Sequence, residues 1–420
     1  MKNHFLRALS EKSFFNLWMG EVFTQVAANL FYFFLILIVY KQTQSNTAVS
    51  VAVVSFTIPA ILFGSIAGVF VDRWNKKYVL IITNILRALL LILLAFYLNN
   101  LYVIYFVSFI VSILTQFFIP AESPMIPLVV RTKNLLSANA LFGMGVFGSI
   151  LIAYMLSGPL ILLIGQVNTL LLLALLLFIG AIFISFVKLT YGKQKRSNEF
   201  PTQSNILRDM KHTLLLISRT REVSQSLFLM ALSQVLILIL ATIAPGYANQ
   251  VLGISVEEFP LLFVAPAAVG MLIGAIILVN VFHSHPKEKV ITAGILLSGL
   301  AMLCLPFGSK VASRDFVQTL NIYLPHIFDI TILHIMAVIG FILGVANSLV
   351  FVPANTLIQE KTTDEFRGKI YGFLNAIIGA VALLPILIVG GLSDVIGVAW
   401  VIGGIGIGLL IYGFTRIFVK

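Results

Sequence analysis

The stretch GVFVDRWNKK, residues 68–77, sets four charged side chains, Asp72, Arg73, Lys76 and Lys77, between two long apolar runs at residues 48–71 and 78–97. Each flank is long enough to cross the hydrocarbon core of a bilayer, which takes about 20 residues of helix. The decapeptide itself is too charged to lie inside one. It reads as a short polar turn between two membrane helices. The whole chain agrees: 60% of its 420 residues are apolar and only 10% charged, against roughly 25% charged in a soluble domain.

Working outward from this turn, ten more apolar runs meet the length criterion. They lie near residues 14–40, 101–121, 138–164, 167–188, 223–248, 259–282, 288–307, 328–353, 367–390 and 395–418. The expected fold is therefore an all-α membrane protein of twelve transmembrane helices. Short cytoplasmic loops collect Lys and Arg, and with the N-terminus inside, all 27 basic residues fall on inner segments except Lys41, Lys310, Arg314 and Arg87 of the third span. An even span number and cytoplasmic N- and C-termini follow together, which points to a multi-pass protein of the inner (plasma) membrane. The net charge of +11 is thus topological. Nucleic-acid binding is excluded, because that needs its basic residues on one solvated face. The N-terminal MKNHFLRALSEKSFF has no small-residue cleavage site, so the first span is expected to be retained. Cys304 is the one cysteine and is read as packing. No cofactor or metal site is expected: no phosphate-binding Gly-x-x-x-x-Gly-Lys-Ser/Thr loop occurs, and His283 and His285 beside Lys287 read as solvated. A pump driven by nucleotide and a membrane-embedded enzyme are both disfavoured.

The longest polar stretch, residues 190–222, separates six spans from six, giving halves at 1–189 and 223–420 joined by a cytoplasmic connector. Phe118-Ile-Pro-Ala121 at the end of span 4 matches Phe351-Val-Pro-Ala354 at the end of span 10. Asn139-Ala-Leu-Phe-Gly143 of span 5 matches Asn375-Ala-Ile-Ile-Gly379 of span 11. Two matches in the same order at nearly one offset argue for duplication in parallel orientation. Residues 308–328 form a longer outer loop with Phe316, Leu320, Tyr323 and Leu324 at helical spacing, as in a short interfacial helix or local lid.

The turn at 68–77 resembles the signature loop of the major facilitator superfamily, Gly-x-x-x-Asp-Arg-x-Gly-Arg-Arg/Lys, with Asn75 and Lys76 departing from it. The resemblance implies two six-helix halves around a central cavity, exposed alternately to each side. It also implies an inner-gate motif of Gly68, Asp72, Arg73, Lys76 and Lys77, with Asp72 facing the start of span 11 near Asp364–Arg367. Glu122, at the inner end of span 4, is a candidate partner of the basic residues; the alternative for the lysines is simple anchoring at the inner surface. FFIPAESPMIPLV, SANALFG and EFRGKIYGFLNA resemble the macrolide-efflux and enterobactin-exporter branch. Gly145, Gly158 and Pro159 keep part of the antiporter signature of span 5, while Tyr154, Leu162 and Leu163 replace its other glycines, which leaves the direction of transport open.

Ionisable groups inside a membrane are costly and mark function. Glu21, with Gln25 and Asn29 at i+4 and i+8, forms one polar stripe on span 1, expected to face the cavity. Arg87 lies at a similar depth on span 3. Either Glu21 carries a coupling proton, or it is a permanent ion pair with Arg87. His334 is a further coupling candidate, and Gln116, Asn347 and Asn375 are candidates to line the substrate path. The expected function is proton-coupled efflux of an amphipathic small molecule or drug, by a chain for which a monomer in the lipid bilayer suffices. Export of a lysophospholipid or siderophore, and a solute-sensing receptor that transports nothing, are the alternatives.

Overall fold

The computed structural model of the chain describes residues 4–71, 74–131, 134–189, 220–282, 285–308, 331–361 and 364–418. All regular elements among them are helical. Lipid offers nothing to a backbone N–H or C=O, so an apolar segment must bond its own backbone groups, as a helix does. The chain runs α1 His4–Leu9, α2 Lys12–Thr43, α3 Asn46–Val71, α4 Lys76–Phe96, α5 Leu101–Glu122, α6 Ile126–Val129 and α7 Leu135–Ser185. It continues as α8 Arg221–Gly246, α9 Ala265–Asn280, α10 Lys287–Cys304, α11 Ile332–Lys361, α12 Asp364–Ile396 and α13 Val398–Phe418.

Eleven helices among the described residues are long and apolar enough to cross a membrane. The twelfth expected span is hidden inside α7, which runs over 51 residues and is interrupted at Gly165, with φ 80° and ψ 170°. That break falls between the two apolar runs expected at 138–164 and 167–188, and glycine is the residue that takes a positive φ without steric cost. The connector at 190–219, the outer loop at 309–330 and Asp72-Arg73 lie outside the described residues.

Pro59, Pro159, Pro245 and Pro385 lie inside helices, and so do Pro120 and Pro353, where α5 and α11 continue past the residues expected to close them. Pro266 stands in the first turn of α9 and Pro306 in a terminal 3₁₀ turn, both within stretches long and apolar enough to cross a membrane.

Two compact units result. The first comprises Met1–Ile38 and Ala52–Ile206, the second Val39–Val51 and Leu207–Lys420. In the first, α2 crosses α7 backbone to backbone: a Cβ on Gly20 would stand 2.6 Å from Ile184, and one on Gly180 2.7 Å from Thr24 Oγ1. Small residues permit such an approach where lipid supplies no hydrophobic drive between helices. Phe14, Leu17, Leu80, Phe118, Ala121 and Ile184 close the core below it. In the second unit α9 and α11 approach still more closely. A Cβ on Gly344 would overlap the Ala267 carbonyl oxygen, and one on Gly270 would overlap that of Phe341.

Candidate functional site

The interior of the first unit holds a polar cluster built by α2, α4 and α5. Thr24 donates to the Gly20 carbonyl one turn back (2.7 Å) and accepts from Asn84 Nδ2 (2.8 Å). The Asn84 Oδ1 then accepts from Arg87 Nη2 at 2.5 Å. Arg87 Nε reaches the Thr83 carbonyl at 3.3 Å, and its guanidinium lies 4.6 Å over the Phe118 ring. One turn beyond Phe118, at the end of α5, is Glu122; one turn before Thr24 is Glu21. The two carboxyls interact with each other, and Glu122 also interacts electrostatically with Arg87. All three ionisable groups are sealed from solvent, at 1% exposure for Glu21, 2% for Arg87 and 5% for Glu122.

Apart from what the two carboxyls share with each other and Glu21 with Gln25, both oxygens of Glu21 and Oε1 of Glu122 meet no hydrogen-bond donor. Buried polar atoms are almost always paired, because an unmade bond there costs about 1–3 kcal/mol. Arg87, by contrast, spends its donors on α4 and on Thr115 of α5 (3.5 Å) rather than on Glu21. With one guanidinium always protonated, the cluster is electrically neutral when one proton sits on the carboxyl pair and carries a net negative charge when none does.

The other expected residues are distributed as follows. Gln25 and Asn29 follow Glu21 along α2, with Asn29 donating to the Gln25 carbonyl at 2.8 Å. Gln116 is half-buried on α5, its Oε1 toward Gly64. Gly145 lies against the Trp18 indole, whose Nε1 donates to the Leu141 carbonyl at 2.9 Å; Gly158 is buried and Pro159 is within α7. In the second unit, Asn347 donates to Ser233 Oγ at 2.7 Å. His334 is exposed in the first turn of α11, with Nδ1 accepting from Thr331 N. The side chain of Asn375 lies outside the described residues.

At the inner turn, Gly68 belongs to α3. Asn75, where the signature has glycine, caps α4 by accepting from Lys77 N at 3.1 Å. Trp74 stacks on Phe117, and Lys76 is buried. Lys77 donates to the Ser185 and Val187 carbonyls at 2.6 and 2.8 Å, neutralising the negative end of α7. Sequence reasoning missed Thr24 and Asn84; two uncharged polar residues on separate apolar helices were the available signal. Among the described residues, no group of three or more His, Cys, Asp or Glu could hold a metal ion.

Residues 17–317 match the family description of the Major Facilitator Superfamily. The chain belongs to the major facilitator superfamily. Similar proteins include macrolide efflux protein A of Streptococcus pyogenes, 23% identical over 397 residues that cover 92% of this chain and 90% of the relative. An uncharacterized MFS-type transporter of Bacillus subtilis, YfmI, is 22% identical over 420 residues, 97% of each chain. The solved structure of the nucleoside transporter NupG superposes with a TM-score of 0.73 at 10% identity, over 97% of this chain and 100% of that one. That likeness establishes the fold alone. The fold, a multi-pass helical membrane protein of a transporter superfamily, therefore agrees with the expectation drawn from residues 68–77.

Proposed function

We propose that the chain is a proton-coupled exporter of an amphipathic small molecule, working by alternating access in the plasma membrane with both termini cytoplasmic. The observation that carries the coupling is the buried carboxyl pair Glu21 and Glu122, which interact with each other beside Arg87. In this reading the pair takes up one proton on one side and releases it on the other. Each uptake cancels the cluster's net charge and changes the cost of holding it away from water. Asn84 and Thr24 keep Arg87 oriented through the change, and Gln25 and Asn29 continue the stripe toward the substrate. Gly68, Asp72, Arg73, Lys76 and Lys77 govern the inner gate. The efflux function named for the Streptococcus pyogenes relative supports the export direction and an amphipathic cargo. A monomer suffices.

Purified protein in liposomes containing a pH-sensitive dye tests this, with a proton gradient imposed and macrolides, hydrophobic cations and lysophospholipids added in turn. Substrate-triggered proton flux that vanishes in Glu21→Gln and Glu122→Gln is expected. Flux that survives both changes refutes the pair as the coupling site. Substrate movement without a proton response refutes coupling, and no movement of any substrate refutes transport.

A further inference from the structure

The second unit contains thirteen residues from between the first two spans: Val39–Val51 belong to it although α2 and α3 run on in the first. What anchors their middle is a single carboxylate, Asp394, in the last turn of α12. Its Oδ1 accepts from Asn46 N (2.8 Å) and Asn46 Nδ2 (2.9 Å); its Oδ2 accepts from Ser45 Oγ (2.7 Å), Thr47 N (2.9 Å) and Thr47 Oγ1 (2.7 Å). Ser45 Oγ in turn accepts from Ala48 N at 3.2 Å. The first N–H groups of α3, which have no partner within their own helix, are therefore satisfied by Asp394 and Ser45 together.

An aspartate in a last turn is badly placed for its own helix, because the carbonyl end of the dipole repels it. No basic residue in that turn of α12 offsets it. Its position makes sense only by reference to α3, whose positive end it meets. The surrounding surfaces are fitted to each other. Ile386, Gly390 and Asp394 form one i, i+4, i+8 stripe on α12, opposite Asn46 and Ser50 one turn apart on α3. Ser50 Oγ donates to the Asn46 carbonyl at 2.9 Å or to the Ile386 carbonyl at 3.0 Å, and a Cβ on Gly390 would overlap that hydroxyl. Asn46 is seated on Gly246, and Lys41 pairs with Glu257 at 2.7 Å.

We propose that Asp394 with the first turn of α3 is an outer clasp, closed in this structure, that opens when the outer side opens during transport. The proposal rests on the transport reading. Asp394, at the end of α12, holds the start of α3. Five hydrogen bonds to one charge are strong enough to hold the outer end yet local enough to release as a unit. Charge-assisted bonds contribute more than neutral ones, and here one exposed carboxylate gathers five donors fixed on a helix start.

The test uses full-length protein in membranes with the single native cysteine removed (Cys304→Ser) and Val49→Cys as reporter, since Val49 is fully buried beside the clasp. A membrane-impermeant maleimide is applied from outside without substrate. Slow labelling is expected for the reporter alone, about tenfold faster labelling in Asp394→Asn, and a comparable rise in Gly390→Ala, which crowds Ser50 without touching the charge. Asp394→Glu should restore much of the slow rate, which separates loss of the clasp from loss of the fold. Equal rates in the reporter, Asp394→Asn and Gly390→Ala overturn the clasp. Faster labelling in a protein that moves no solute in liposomes leaves the clasp standing and overturns the transport reading instead.

Discussion

The two units solve the same packing problem with different chemistry. Both must hold apolar helices together where lipid competes equally for every methyl group. The first keeps Glu21, Arg87 and Glu122 in its interior, tied through Asn84 and Thr24. The second brings backbone against backbone at Gly270, Gly274, Gly340 and Gly344, and among its described residues the buried acid is Glu257, which Lys41 neutralises. Glycine contacts give rigidity and no chemistry. Buried ionisable groups cost stability and offer a proton site. On the coupling proposed above, the contrast separates a unit that holds the candidate proton site from one held mainly by close backbone packing.

The largest effect is expected from removing the specialisation. Glu21→Gln and Glu122→Gln should each lower substrate-driven proton flux about a hundredfold in the liposome assay, with helical content by circular dichroism unchanged. If either abolishes folding instead, the acids are structural and the contrast fails. Next comes Gly344→Ala, whose methyl would overlap the Ala267 carbonyl oxygen; a loss of about 3 kcal/mol is expected in thermal unfolding in detergent. A variant as stable as the parent would show that the second unit is not held by close backbone approach. Asn84→Ala should cost about 2 kcal/mol, because it removes the acceptor at 2.5 Å from a buried guanidinium. It should also slow proton flux more than it lowers stability, which sharpens the distinction between positioning and packing. The smallest effect belongs to Gly143→Ala, where a Cβ meets nothing within 4 Å; its unfolding should stay within about 0.5 kcal/mol of the parent in equivalent stability.

Much of the fold is legible in the amino-acid sequence, since each span is fixed by its own length and apolarity. Even the break in α7 falls at the gap between two apolar runs, at Gly165. The site is legible only in outline. Glu21, Arg87 and Glu122 stand out as ionisable groups near apolar runs, but their grouping does not, because Arg87 satisfies itself on Asn84 and Thr83 rather than on the nearest acid by depth. Glu122 resembles a gate residue by its position at the end of α5, and its burial beside Glu21 depends on how three helices cross. His334 reads as a coupling candidate because it lies in an apolar run; its hydrogen bond with Thr331 N at the start of α11 is visible only in the fold.

Composition, span length and the placement of Lys and Arg determined by themselves that this is a helical membrane protein with a short charged turn at 68–77, because those are properties of each segment in its solvent. Tertiary structure alone decided which polar residues meet. Asp394, in a last turn that holds no basic residue, is a misplaced acid in the sequence and becomes the cap of α3 in the fold. The physical reason is that helix ends and buried charges are satisfied by partners far along the chain, and only the crossing of helices brings those partners within hydrogen-bonding distance.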